Sequence, residues 1–296
     1  MTKPRQFLPN STYFITRRAT QREFWLKPTP QTTQIFLYCI AVAAQKTGIR
    51  VHAACVMSNH WHAIVSDPHT SIAEFYAWVH KYVAKAINCS RGRWENLWSS
   101  EKTDAIRLES PEDVLDKTVY TLCNPVSAGL IARAGTWKGV WLYRQSHSQI
   151  VKRPSVYFKE DGTMPQTVEL TIHQAPGHEN MSIDAYEKRI AEEIVQEESN
   201  IADEMTAANR RFLGMNAVLR QSHGGRPASF EIRRGMNPRF ASRDKELRIS
   251  AIKRYEQFVS QYWQALKAWR QGNREVQFPA GTYAMRIRAS VNVSPG

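Results

Sequence analysis

The chain has 296 residues, 42% of them apolar, enough to bury a full core in one or two domains. It carries 40 Lys and Arg against 27 Asp and Glu, a formal net charge of +13, which favours a polyanionic partner. Four widely spaced cysteines without a Cys-x-x-Cys pair, no apolar window of ~18 residues and no signal-peptide core in MTKPRQFLPNSTYF argue against a zinc ribbon, a disulfide framework and a membrane partner, and a cytoplasmic protein is expected.

Thr12 to Arg18 (TYFITRR) reads as a short strand. Thr29 before Pro30 opens a helix in which Ile35, Phe36, Ile40, Ala41 and Ala44 recur at helical spacing until Gly48 stops it. Residues 50–57 (RVHAACVM) and 60–66 (HWHAIVS) are β-rich and joined by Ser58 and Asn59, a connection of hairpin length. Ser71 with Glu74 makes a capping box, and Ile72, Phe75, Val79, Val83 and Ile87 form the apolar stripe of a second helix. After GRWENLW, residues 102–108 (KTDAIRL) supply a last strand. The order β-α-β-β-α-β predicts an α+β fold of the ferredoxin-like, split-βαβ kind: an antiparallel sheet with helices on one face, followed by a mostly helical extension.

The later half divides less sharply. Ser110, Pro111 and Asp113 open a helix expected to run to about Cys123. Residues 146–181, with Pro154, Pro165 and Pro176, read as an irregular connector between a domain of residues 1–145 and a basic, mainly helical region of residues 182–296. Ser182 caps an acidic helix with Ile183, Tyr186, Ile190, Ile194, Ile201 and Met205 on its apolar side. Residues 209–255 then hold twelve bases against three acids, interleaved with Phe212, Phe230 and Phe240, a pattern suited to a phosphate backbone with stacked bases. A helix over about 242–271 follows, and FPAGTYAMRIRASVNV ends as a strand pair or packs back on the core. The arginines of this half are expected to grip flanking DNA. A helical dimerisation arm, giving a homodimer, is the competing role.

The chemistry centres on SNHWHAIV. Side chains at i and i+2 of a strand share one face, so His60 and His62 project together while Trp61 points away. Two imidazoles on a rigid hairpin can hold a divalent metal and leave positions open for other groups and substrate. The bland alternative is a pair of surface or core histidines. With a two-residue turn, Met57 faces His60 and Cys55 faces His62, which puts His52 on the opposite face with Trp61. A third histidine two residues on, as in histidine-triad hydrolases, is replaced by Ile64. Tyr120 and Asn124 lie four apart on one helix face. A phenol is a weak nucleophile at neutral pH unless a metal or base assists it, and a carboxamide four residues along could bind that metal. Pro125 biases Asn124 away from helical conformation and is expected to swing it off that face. Tyr82 and Tyr143 are the other tyrosines considered as nucleophiles, and both read more simply as packing residues. An unrelated metallohydrolase using His60, His62 and Asp67 or Glu95 is a further alternative.

Over about residues 10–145, TYFITRR, VMSNHWHAIV, GRWENLW and VYTLCNPVSAGL together resemble the REP-associated tyrosine transposases, within the single-tyrosine HUH transposases of bacterial insertion sequences. The resemblance implies a nucleoid-associated domain that cuts and rejoins single-stranded or hairpin DNA using Mg²⁺ or Mn²⁺. His60, His62 and Asn124 would be the metal ligands and Tyr120 the nucleophile that forms a 5′-phosphotyrosine. Arg17, Arg18, Arg93, Arg210, Arg211, Arg226, Arg233, Arg234 and Arg239 are the expected DNA contacts. Family members usually carry Pro at the position of Ser58 and often His or Glu at those of Leu122 or Thr121, so the alternative is a non-catalytic, domesticated DNA binder or repressor on the same fold.

Overall fold

The computed structural model describes residues 3–101, 103–229 and 238–295. Strand β1 (Ser11–Arg18) turns Tyr13 and Ile15 to one side of the sheet and Phe14 to the other. Helix α1 (Pro30–Thr47) starts where the Thr29 hydroxyl accepts from the Thr32 amide at 3.2 Å. It stops at Gly48, whose φ of +69° suits a residue without a side chain. Strands β2 (Arg50–Val56) and β3 (His60–Asp67) form the expected hairpin, Cys55 opposite His62 and the Met57 amide donating to the His60 carbonyl at 2.8 Å.

Helix α2 (Ile72–Ser90) is capped differently from the expectation. Ser71 makes no side-chain cap but donates its hydroxyl to the Thr47 carbonyl, while the buried Asp67 carboxylate accepts from the His69, Ser71 and Ile72 amides. A carboxylate takes several donors at once and suits the positive end of a helix better than a hydroxyl does. Strand β4 (Asp104–Leu108) and helix α3 (Pro111–Ser127) follow, α3 capped by Ser110 on the Asp113 amide at 3.1 Å.

Four further strands are short: β5 (Trp141–Leu142), β6 (Gln149–Lys152), β7 (Thr167–Leu170) and β8 (Phe240–Ala241). The main sheet has the order β5-β2-β3-β1-β4-β8. All its neighbours pair antiparallel except β4 and β8, so the sheet is mixed rather than antiparallel throughout. Helices α1 and α2 share one face over a core containing Ile15, Ile35, Trp61, Val65 and Phe75. The prediction of one covered face fails for α3, which packs on the other with Phe14, Ala53, Cys55, Met57 and Ile64. Both faces of the central strands are apolar, so both require a cover.

Helix α4 (Ile183–Ala207) is the predicted acidic helix, with Ser182 accepting from the Ala185 amide. Its stripe of Tyr186, Ile190, Ile194, Ile201 and Met205 is buried with α3 inside the same chain, so that face is not available as a dimerisation arm. The stretch read as an irregular connector carries the β6–β7 hairpin, whose Val151, Val168 and Leu170 join the core over α1. Helix α5 (Met215–Arg220) is short; α6 (Lys245–Arg270) and α7 (Ala284–Ala289) close a third cluster around Phe258, Leu266 and Phe278. The terminal stretch thus packs back, Thr282 bridging to Gln6 and Phe278 to Val293. No helix among the described residues is long and apolar enough to cross a membrane.

Candidate active site

The pleat of β3 places Trp61 away from the two histidines. Trp61 is fully buried, and its indole N–H donates to Nε2 of the buried His80 at 3.1 Å. That anchor fastens the hairpin from behind, so His60 and His62 emerge together toward α3, ring centroids 4.8 Å apart.

The tautomer of His60 follows from its neighbour. Asn59 donates Nδ2 to the Arg22 carbonyl at 3.0 Å, which fixes its amide and aims Oδ1 at Nδ1 of His60, 2.7 Å away. Nδ1 therefore carries the proton, and Nε2 keeps a lone pair. Nε2 faces Oδ1 of Asn124 at 3.0 Å. With the amide in that orientation two acceptors point at each other, an arrangement that a shared cation would stabilise.

His62 is buried, and neither ring nitrogen has a hydrogen-bond partner. Its ring stacks on Phe14 at 5.1 Å and 17°. Burial holds its pKa well below the usual imidazole range, and His60 when protonated and the Lys117 ammonium push the same way, so the neutral ring with its lone pair is the favoured form.

Helix α3 supplies the other two groups. It continues through Pro125 to Ser127, and the Ala128 amide donates to the Asn124 carbonyl at 3.0 Å. The expected displacement of Asn124 by Pro125 does not occur, because packing in the α3–sheet core overrides the local preference. Tyr120 is 46% exposed, its ring edge-on to Phe14 at 5.9 Å and to His62 at 5.8 Å. Lys117, one turn earlier, holds its ammonium 5.0 Å from the centre of the Tyr120 ring.

The groups that could hold a divalent cation are Nε2 of His60, Oδ1 of Asn124 and a ring nitrogen of His62. Octahedral coordination at ~2.1 Å leaves adjacent ligand atoms about 3.0 Å apart, which the His60–Asn124 separation matches. Among the described residues no three His, Cys, Asp or Glu cluster, and the protein oxygen that faces His60 is the Asn124 amide. The lone pairs, the neutral imidazole and the Asn59 brace on the far nitrogen of His60 fit such an ion.

The remaining candidates lie elsewhere. His52 was expected beside Trp61, but a bulge between Val51 and Ala53 turns it to the α3 side, where Nε2 meets Ser66 Oγ at 2.8 Å and Nδ1 meets the His173 carbonyl at 3.0 Å. Asp67 is consumed in capping α2, seven residues along β3 from His60, and Glu95 is exposed in the loop after α2. Tyr82 packs tilted against Trp78 and stacks on Phe158, and Tyr143 is buried against Trp141 and His147.

The arginines divide. Arg18 pairs with His60 across the sheet and bridges to Glu101 at 3.2 Å. Arg17 points to the other face and braces Thr103 Oγ1 and the Ser99 carbonyl. Arg93 stacks on Trp25 at 3.7 Å; Arg210, Arg211 and Arg226 are exposed; Arg239 accepts at its carbonyl from the Arg107 amide. Arg233 and Arg234, like Phe230, lie outside the described residues.

Sequence reasoning missed Asn59, Lys117 and Phe14. The only available signals were adjacency to His60 for Asn59 and the i−3 spacing from Tyr120 for Lys117. Nothing in the strand pattern marked Phe14 as the surface on which His62 and Tyr120 rest.

No protein-family model matches the chain, and no curated protein matches it. Two solved structures are similar over part of it. One is a REP-associated tyrosine transposase bound to a REP hairpin, 20% identical over 46% of this chain and 80% of that one, with a TM-score of 0.38. The other is a Deinococcus radiodurans protein named as a transposase, 17% identical over 36% of this chain and 85% of that one, with a TM-score of 0.28.

Proposed function

We propose that the chain is a metal-dependent enzyme on a split-βαβ sheet that cuts and rejoins single-stranded or hairpin DNA through a tyrosine. The observation that supports this reading is the convergence of Tyr120, His62, His60 and Asn124, with Nε2 and Oδ1 facing each other at 3.0 Å beside an imidazole whose nitrogens are unpartnered.

Bound Mg²⁺ or Mn²⁺ would withdraw charge from a non-bridging phosphate oxygen. His60, His62 and Asn124 would hold it, and Asn59 keeps the lone pair of His60 aimed inward. Tyr120 is the exposed member, free to approach a strand from solvent. Its phenolic oxygen attacks phosphorus, the bond to the 3′ oxygen breaks, and the 5′ side stays on the tyrosine as a phosphodiester. The phenol loses one proton and the departing 3′ oxygen gains one. The Lys117 ammonium, 5.0 Å from the centre of the Tyr120 ring, would offset phenolate charge; the phenol proton leaves to solvent, and the departing 3′ oxygen takes one from solvent or from this ammonium, which solvent then reprotonates. One phosphodiester replaces another, so attack by a DNA 3′-hydroxyl rejoins strands and restores Tyr120 without ATP.

A labelled single-stranded hairpin incubated with Mn²⁺ is expected to give an SDS-resistant protein–DNA adduct that Tyr120→Phe abolishes. Hairpin binding without any adduct supports the repressor alternative. A cleaved strand with a free 5′ phosphate and no adduct sinks the tyrosine mechanism.

A further inference from the structure

Between β1 and α1 the chain makes a tight turn at Thr20–Arg22 in which two residues with side chains, Gln21 and Arg22, sit in the left-handed region at φ +48° and +61°. Such conformations persist only where the surroundings enforce them. On its inner side the turn is laced to the hairpin that carries the histidines. The Ala19 amide donates to the Asn59 carbonyl at 2.7 Å, the Leu26 amide to the Ser58 carbonyl at 2.9 Å, and Asn59 Nδ2 to the Arg22 carbonyl at 3.0 Å.

On its outer side lie residues 221–229, some two hundred positions away in sequence. The Phe24 amide donates to the Gly225 carbonyl at 2.8 Å, and Lys27 Nζ to the Gln221 carbonyl at 2.8 Å. The His223 ring lies parallel to Trp25. Arg22 donates through one guanidinium nitrogen to the Ser229 carbonyl and through the other to its hydroxyl at 3.1 Å. Gly225 seats closely because it has no side chain: a Cβ there would stand 3.1 Å from the Ser222 carbonyl oxygen and 3.2 Å from the Phe24 ring.

We infer that residues 221–229 form a strap that holds this turn in shape and thereby, through Arg22 and Asn59, sets the tautomer and aim of His60. The strap and Arg22 are positioning elements. The link to metal rests on the reading of His60 as a ligand, whereas the link to the tautomer does not. An imidazole is oriented by the partner on its other nitrogen, and here that partner is held by a backbone carbonyl in a turn that the C-terminal half clamps. A substantial part of the centre's preorganisation therefore comes from outside the sheet that presents it.

The test uses the full chain with Arg22→Ala, which releases the clamp, and Gly225→Val, which pushes the strap outward without touching Arg22 or Asn59. Two readouts are taken, the ¹⁵N tautomer signature of His60 in metal-free protein and the Mn²⁺ affinity by electron paramagnetic resonance, with near-UV circular dichroism as the check on folding. Folded variants should lose the uniform Nδ1–H form and bind Mn²⁺ about tenfold more weakly, with Arg22→Lys recovering part of both. Should Gly225→Val not fold, Ser229→Ala, which deletes one hydrogen bond, carries the same comparison with a smaller shift. Folded variants with the parental tautomer and affinity overturn the strap. If the parent itself shows no Mn²⁺ binding sensitive to His62→Ala, the metal reading fails, while the tautomer still decides the strap.

Discussion

Lys117 shows how one side chain extends the reading of the site. Its ammonium stands 5.0 Å from the centre of the Tyr120 ring, and its charge adds to the lowering of the His62 pKa. Lys117→Met keeps the apolar stem and removes the charge. Single-turnover adduct formation should slow by roughly 10²-fold, while hairpin affinity, measured by anisotropy, changes little. Equal losses in rate and affinity would assign the lysine to substrate binding instead. Asn124→Asp tests the amide in the opposite sense. A carboxylate in place of a neutral oxygen should tighten Mn²⁺ binding, whereas Asn124→Ala should weaken it, both read by metal titration.

Asp67 carries the same lesson at the level of an element. A serine followed three residues later by glutamate signals a capping box, yet the cap of α2 comes from the last residue of β3, buried and accepting from three amides. Asp67→Ala should therefore cost about 2 kcal/mol in urea denaturation, while Ser71→Ala should cost less. Equal costs would contradict the assignment. Helix α3 makes a related point, since Pro125 sits inside it without displacing Asn124. Local propensity is a preference of about 1 to 3 kcal/mol, and the apolar contacts of Leu122, Cys123 and Val126 with the sheet outweigh it.

For the whole molecule, two buried histidines away from the site set a pH dependence. Burial lowers His52 to about 4 and holds His80 well below its ordinary value. Folded values below the unfolded value near 6.5 mean that the unfolded chain takes protons first. Their contribution is thus present above pH ~6.5 and is lost as pH falls toward the folded values, by up to about 1.4 kcal/mol per unit for each. The melting temperature should fall between pH 7.5 and pH 5.5, and less steeply in His80→Gln. The exposed arginines set a salt dependence in turn. If Arg210, Arg211 and Arg226 each neutralise a phosphate, replacing all three by alanine should reduce the slope of log affinity against log salt for single-stranded DNA by about 2. An unchanged slope would place the DNA elsewhere.

Periodicity alone determined most elements of the first half and the pairing of His60 with His62 on one face. Alternation and helical spacing are local properties, and a residue's neighbours two or four positions away suffice to read them. Tertiary structure decided the rest: that α3 covers the second face of the sheet, that a bulge turns His52, that the acidic helix is spent inside the chain, and that Asn59 is braced by a turn clamped from residues 221–229. These are contacts between positions tens to hundreds of residues apart, chosen by which apolar faces need cover and which buried polar groups need partners. No local pattern encodes that choice.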